Sequence, residues 1–202
     1  LGNIGMGTSA TTLYNLLGHK VVITTPNVTV TTWGELSKQY KYPQVAVEVE
    51  YTNGLIGTNL LILRENDVKI ITDLMMGGEG RAMEENLTDM HLSAIGEAMN
   101  QMMGSSATSM SSMFSKRIDI SPPSAYIIRF DEEQMTSIFE KTQRVVCTSF
   151  RMIVGDLIDS EIMQIMPAVF AKDLVTSVLE TKVENPYIDV SKISGTGQKP
   201  HP

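Results

Sequence analysis

The stretch DMHLSAIGEAMNQMMGSSATSMSSMF, residues 89–114, sets a charged residue and an amide among apolar and small residues. Glu97 and Asn100 are three positions apart, so a helix would place them on one face, with Ser93 one turn earlier. Apolar residues recur at three- and four-residue steps, as a helix with one buried side requires. The sequence therefore predicts a helix of about twenty residues. The residues expected on its buried side are Leu92, Ile95, Met99, Met102, Met103, Met110 and Met113.

The beginning of the chain repeats part of this stretch at an offset of 97 positions. In both copies, 22 residues separate an asparagine from a proline. An internal duplication is the simplest explanation, and it predicts that residues 1–17 also form a helix despite their glycines. We expect the residue equivalent to Glu97 one position before Leu1, so the sequence holds only part of the first motif. The matched residues are Asn3 with Asn100, Gly7 with Gly104, Ser9–Thr11 with Ser106–Thr108, Lys20 with Arg117, and Pro26 with Pro123.

Composition narrows the classes of function. With 42% hydrophobic and 19% charged residues over 202 positions, the chain has the composition of a globular protein that can bury a core. A net charge of −7 and the lack of a basic run argue against nucleic-acid binding, which needs clustered cations. The single cysteine, Cys147, lies in an apolar run, so we expect a buried thiol and a reducing compartment. No apolar run is long enough to predict insertion into a membrane.

Hydrophobic patterns predict the remaining elements and the fold class. Each half of the chain is interpreted as a helix, a strand, a strand pair and a closing helix. Neither half can bury its own sheet well, so we expect an α+β fold with one shared antiparallel sheet, helices packed on it, and a pseudo-twofold axis between the repeats. Strands are expected over 19–25, 44–52, 55–63, 116–121, 142–154 and 160–166, with extended chain over 27–32, helices over 67–76 and 168–180, and a short helix or loop over 33–42.

Domain boundaries follow from the same duplication. We expect a single domain over residues 1–185, made of repeats at about 1–85 and 86–185, and a linker-like tail over 186–202. The glycine-rich run at 77–86 lacks the lysine and hydroxyl of a phosphate-binding loop, so a hinge between the repeats is the better interpretation. Residues 131–140 differ from the first copy and are interpreted as an inserted helix or strand.

A glutamate and an asparagine one helical turn apart suit a site that grips a cation and orients a water molecule. The plain alternative is a solvated helix edge, but the duplication has kept an asparagine at the same spacing from proline twice. No nucleophile stands beside a base in the sequence, and one carboxylate with one amide is too small a ligand set for a metal. The candidate site residues are therefore Glu97, Asn100 and Asn3, without a metal or cofactor of the chain's own.

The pattern Ser93-x3-Glu97-x2-Asn100-x22-Pro123 resembles the signature of the CheC, CheX and FliY phosphatases of bacterial chemotaxis. The resemblance covers nearly the whole chain. Its motif is complete in the second copy, while Asn3 and Pro26 carry the visible part of the first. Two copies of the motif are typical of the CheC type and of the middle domain of FliY. The incomplete first motif and the linker-like tail favour the FliY type. The fold implied is CheC-like.

The resemblance implies dephosphorylation of phosphorylated CheY, the response regulator, in the cytoplasm at the flagellar motor switch. By position, Glu97 would pair with a lysine of CheY, and Asn100 would orient a water for in-line attack on the aspartyl phosphate, beside a Mg²⁺ held by CheY. Asn3 would serve a second site. Flagellar switch proteins such as FliM are the other expected partners. The alternative is a non-catalytic switch scaffold like the middle domain of FliM, which has a similar fold and lacks the catalytic pair.

Overall fold

A computed structural model describes residues 2–24, 26–40, 42–81, 86–130 and 138–184, leaving aside the side chains of residues 2–6, 178 and 180–184. The helices described are α1 (Gly2–Leu17), α2 (Trp33–Ser37), α3 (Glu65–Met75), α4 (Asp89–Phe114) and α5 (Ala168–Glu184). The strands described are β1 (Val21–Ile23), β2 (Asn27–Thr32), β3 (Gln44–Asn53), β4 (Gly57–Leu63), β5 (Asp119–Ile120), β6 (Ser124–Ile128), β7 (Arg144–Val154) and β8 (Ile158–Pro167). The tail predicted over 186–202 lies outside the described residues.

The two repeats exchange strands within one antiparallel sheet. Hairpins β3–β4 and β7–β8 meet at the centre, where β4 pairs with β8. The first strands of each repeat then cross to the other hairpin, so that β1 and β2 pair with β7 while β5 and β6 pair with β3. Every strand of one repeat thus has its counterpart in the other at an equivalent place. The α+β fold with a shared sheet and a pseudo-twofold relation is confirmed.

Side chains of alternate residues in the central strands pack into two hydrophobic cores, one on each face of the sheet. Val45, Val47 and Val49 join the larger core, which α1, α3 and α4 cover. Ala46 points the other way, toward a smaller core built around Trp33. The strand expected over 44–52 is therefore confirmed, and near Ala46 both of its faces are buried. The short helix that follows Thr32 begins with a fully buried residue, Trp33.

Helices α1 and α4 lie against each other above the larger core, as the duplication predicts. On α1, Ser9, Leu13 and Leu17 recur every fourth residue and are buried. The helix ends at Gly18, whose φ of +65° is the left-handed geometry expected after a helix C-terminus. The expected buried side of α4 is confirmed at Ile95, Met99, Met102, Met103 and Met110, with Leu92 and Met113 partly buried.

One strand was missed at the level of the sequence. Residues after Pro123 form β6, which pairs with β3 between Gln44↔Ile128 and Glu48↔Ser124. It is the counterpart of β2, which was expected as extended chain. The sequence SAYII is short and follows two prolines, so the local sequence alone does not indicate a strand. The segment becomes a strand because it pairs with the edge of β3. The inserted element expected over 131–140 lies mostly outside the described residues, although Phe139 packs edge-on against Trp33.

Candidate functional site

The N-terminal half of α4 carries the candidate site, and a buried histidine fixes where this helix begins. The backbone N–H of Thr88 donates to Nδ1 of His91 at 3.1 Å, so this imidazole nitrogen serves as an acceptor in the cap. His91 is only 4% exposed. It is therefore a structural group at the helix start and not a free base for the site.

Ser93, Glu97 and Asn100 share one groove with the two prolines that follow β5. The groove has a volume of about 530 Å³ and opens to solvent along the outer face of α4. Ser93 and Glu97 are exposed, whereas Asn100 is half-buried. The spacing of 22 residues between asparagine and proline therefore has a structural meaning, because it brings Pro123 to the groove that Asn100 lines.

Glu97 has a defined orientation although it is exposed. The amide Nε2 of Gln101, one turn further along α4, donates to Oε1 of Glu97 at 2.7 Å. The side chain of Asn100 makes no hydrogen bond or ion pair within the described part of the chain. Its amide therefore has both its donor and its acceptor available for a partner molecule.

Two residues that the sequence analysis did not single out shape the groove. Ser121 holds the proline pair in place, because its N–H donates to the Glu50 carbonyl at 2.8 Å and its hydroxyl accepts from the Glu50 N–H at 3.1 Å. Gly96 lines the groove opposite Ala125 of β6, since a Cβ at this position would be in ordinary contact with the Cβ of Ala125, at 3.8 Å. A serine just before two prolines and a glycine beside the glutamate were the available signals.

The first copy is described less fully than the second. Asn3 lies in the first turn of α1, where the side chains are not described, and Pro26 stands between β1 and β2 as Pro123 stands between β5 and β6. Val28, the equivalent of Ala125, is 56% exposed. The second copy therefore provides the described site, and the role expected for Asn3 stays a prediction.

The two asparagines lie toward opposite ends of the α1–α4 pair. Thr12 contacts Ser105 and Thr8 contacts Ser109, so the two helices run in opposite directions. Each asparagine stands seven residues from the centre of these contacts, which at about 1.5 Å per residue separates them by roughly 20 Å along the helices. They belong to two separate places and do not form one composite site.

The glycine-rich run after α3 is used within the fold. The Asp73 carboxylate accepts the Gly80 N–H at 2.7 Å, and the Asp73 carbonyl accepts the Gly78 N–H at 2.8 Å. A phosphate-binding loop would leave such N–H groups for its ligand. Where it is described, this run is therefore a turn tied to α3, and the hinge between the repeats stays a prediction.

A larger cavity of about 640 Å³ lies away from the asparagine groove, between α2 and the segment before β7. Its size does not make it the better candidate. It follows a seam in which the Gly34 N–H donates to the Lys141 carbonyl at 2.9 Å. Within the described residues there is also no group of three His, Cys, Asp or Glu side chains placed to hold a metal ion.

Comparison with known proteins identifies similar chains. Residues 90–127, which include Glu97, Asn100 and Pro123, match the model of the CheC-like family. The chain is 50% identical over 182 residues to the flagellar motor switch phosphatase FliY of Bacillus subtilis, covering 90% of this chain and 48% of that protein. Thus the chain spans about half the length of this curated relative.

Solved structures give a similar result. The structure of Thermotoga maritima FliY superimposes with a TM-score of 0.83 at 40% identity, covering 89% of this chain and 92% of that chain. The FliM middle domain from H. pylori has a TM-score of 0.69 at 12% identity, covering 87% and 92%, which shows a similar fold alone.

Proposed function

Because the chain belongs to the CheC-like family, as one of its FliY members, we propose that it dephosphorylates phosphorylated CheY at the flagellar motor switch. The observation that carries this proposal is the groove that joins Glu97, Asn100 and Pro123. The relative from Bacillus subtilis is named a flagellar motor switch phosphatase. The part of the chain that matches the family model is also the part that forms the groove.

Asn100 is assigned the central chemical role. Its amide can accept a hydrogen bond from a water molecule and donate one to a phosphoryl oxygen, which aligns the water behind the phosphorus. The new bond joins the water oxygen to phosphorus, and the bond to the aspartyl carboxylate of CheY breaks. Inorganic phosphate leaves with the water's protons, and the CheY aspartate is regenerated as a carboxylate.

Such a reaction needs no nucleophile from this chain, because an acyl phosphate is already activated and positioning supplies much of the acceleration. The histidine of α4, His91, is engaged in the helix cap and is not among the residues that line the groove. We assign the Mg²⁺ to CheY, where it would supply charge neutralisation at the phosphoryl group. The part played by this chain is to dock, to orient water and to exclude competing solvent.

Glu97 is assigned to docking. Its carboxylate is exposed one turn before Asn100 and is held by Gln101, so it can pair with a lysine of CheY without first being ordered. An exposed ion pair contributes up to about 1 kcal/mol, which is enough to orient a transient partner but not to bind it tightly. We therefore expect Glu97 to affect mainly the Michaelis constant and Asn100 mainly the rate at saturation.

The alternative is a scaffold domain without catalysis, like the middle domain of FliM. The shared fold does not distinguish the two functions, since the FliM domain superimposes well at low identity. The feature favouring catalysis is the Glu97 carboxylate and the Asn100 amide, which line one open groove, with the Asn100 amide making no hydrogen bond to the described residues. Binding to FliM and a place on the cytoplasmic side of the motor switch are compatible with either function. None of the described helices is long and apolar enough to span a bilayer.

The test is a phosphate-release assay in which CheY, phosphorylated by a small-molecule phosphodonor in the presence of Mg²⁺, is mixed with the domain. We expect faster phosphate loss than from CheY alone, and binding to CheY that depends on its phosphorylation. A scaffold would bind switch proteins and leave the rate of phosphate loss unchanged.

A further inference from the structure

Gly104 interrupts the exposed ridge of side chains on α4. It stands one turn after Asn100 and one turn before Thr108 on the same face of the helix. A Cβ built on Gly104 would meet no atom within 4 Å. The helix therefore has a notch directly beside the amide that we place at the centre of the reaction.

The fold does not require a glycine at this position. Several other described glycines are explained by a positive φ, as at Gly54, or by a neighbour that a side chain would strike, as at Gly57. Gly104 lies inside a helix, where glycine is among the least favourable residues and alanine the most favourable. An open position in a helix interior should thus accept alanine with a gain in stability.

The first repeat holds the same arrangement. Gly7 stands one turn after Asn3, and a Cβ there would also meet nothing within 4 Å. In both helices the threonine one turn further on donates its hydroxyl to the glycine carbonyl, from Thr108 at 3.0 Å and from Thr11 at 3.4 Å. A feature that weakens the helix and meets no neighbour in the fold has thus been kept in both copies, each time beside the asparagine.

We propose that Gly104 is a positioning residue, the point where the surface of phosphorylated CheY rests on the backbone of α4. This inference rests on the proposed function. Without a Cβ, the helix backbone comes closer to the partner by about the length of one carbon–carbon bond, roughly 1.5 Å. That distance lets the short side chain of Asn100 reach the water and the phosphoryl group, since a misplacement of about 1 Å can reduce a rate by two orders of magnitude.

The experiment measures phosphate release from phosphorylated CheY at saturating domain, together with the melting temperature, for Gly104→Ala and Gly104→Leu. Ser112→Ala and Ser112→Leu are the matched controls, because Ser112 is exposed two turns further along the same helix. We expect Gly104→Ala to melt at or above the wild-type temperature and to lose about tenfold in rate at saturation, with a larger loss for leucine. Both Ser112 variants should stay within about twofold of the wild-type rate.

A rescue variant separates lost reach from a general defect. Asn100→Gln adds one methylene to the reach of the amide, so Gly104→Ala with Asn100→Gln should be faster than Gly104→Ala alone. The inference is overturned if both Gly104 variants keep the wild-type rate, if Gly104→Ala lowers the melting temperature, if Ser112→Leu loses as much activity, or if the rescue fails. A wild-type domain with no activity would overturn the proposed function itself. A wild-type domain that is active, with Gly104 variants that are equally active, would overturn only the inference about Gly104.

Discussion

The hydroxyl of Thr12 donates a hydrogen bond to the hydroxyl of Ser105 at 2.9 Å, across the contact between α1 and α4. The duplication makes Ser109 the equivalent of Thr12, and Thr8 the equivalent of Ser105. These two are also joined, from the Ser109 hydroxyl to that of Thr8 at 3.4 Å. The same pairing therefore occurs twice with the roles of the helices exchanged, as in the contact of a twofold dimer. Small polar side chains set the spacing of the two helices that carry the asparagines.

Substituting a large residue at this contact should destabilise the fold. Ser9 is fully buried there, and its hydroxyl donates to the Met102 carbonyl at 3.4 Å. Ser9→Leu forces extra methylenes between the helices, so we expect a loss of about 1–3 kcal/mol in the free energy of unfolding. Urea denaturation measures it. Ser112→Leu, on the exposed side of α4, should change that free energy by less than about 0.5 kcal/mol. Equal effects of the two variants would mean that α1 and α4 do not pack in this way.

Much of the fold could be predicted because the chain contains an internal duplication, so each repeat helps to interpret the other. The glycines of residues 2–7 argue against a helix, and only the match to α4 predicts α1 correctly. Likewise, the turn at Asn53–Gly54 and the alternation of Val45, Val47 and Val49 specify a hairpin from local sequence alone. Local signals and the duplication together account for the confirmed elements.

What the sequence could not predict depends on contacts between distant segments. Strand β6 forms because the free edge of β3 is beside it, and Trp33 is buried because the second face of the sheet lies below it. Within the site, the spacing to Pro123 was visible, but the groove also needs Ser121, which is held by Glu50 on another strand. Residues far apart in sequence supply these constraints, and a local pattern does not contain them.

Gly54 and Gly18 make a matched pair for testing the β3–β4 turn. Both have a positive φ, of +75° and +65°, but a Cβ at Gly54 would lie 2.1 Å from the Arg117 carbonyl oxygen, whereas Gly18 has open space. Gly18→Ala should cost about 1–2 kcal/mol from backbone strain. Gly54→Ala should lower the free energy of unfolding, measured by urea denaturation, clearly more than Gly18→Ala does. At Gly54 the new Cβ would also clash with the Arg117 carbonyl, just before β5. Equal costs would show that the approach of Arg117 is not rigid.

Asp67 gives the fold a dependence on pH. Burial raises the pKa of this carboxyl above its ordinary 3.8, while the Ser160 hydroxyl, which donates to Oδ2 at 2.6 Å, and Arg64 lower it in part. The folded state therefore holds this proton more tightly than the unfolded state, so the contribution of Asp67 to stability falls as pH rises from 3.8 through the folded pKa.

Replacing the carboxyl with an amide tests this sign. Asp67→Asn keeps the shape and an acceptor for Ser160 but cannot ionise. We expect the unfolding free energy of the variant minus that of wild type to increase with pH above 3.8 and to level off once Asp67 is ionised in the folded state. Chemical denaturation at a series of pH values measures this difference. A difference that stays constant with pH would show that the folded pKa is not raised.

Asn3 should matter only where its helix carries a complete motif. In the present chain we expect Asn3→Ala to change phosphate release from CheY much less than Asn100→Ala does. In a longer chain that extends α1 upstream and supplies the expected glutamate, total activity should rise and become sensitive to Asn3→Ala. If the longer chain is no more active and Asn3→Ala does not change its activity, the first copy has a structural role only and does not form a second site.

The role of Asn100 is measured by a single-turnover experiment with limiting phosphorylated CheY and saturating domain, comparing wild type with Asn100→Ala. Asn100 lies half-buried on a helix surface, and its side chain makes no hydrogen bond or ion pair with the described residues, so the variant should unfold within about 0.5 kcal/mol of wild type. We expect its rate of phosphate loss to fall by about tenfold or more, toward that of CheY alone, while binding persists. A folded Asn100→Ala domain that releases phosphate at the wild-type rate would contradict this role.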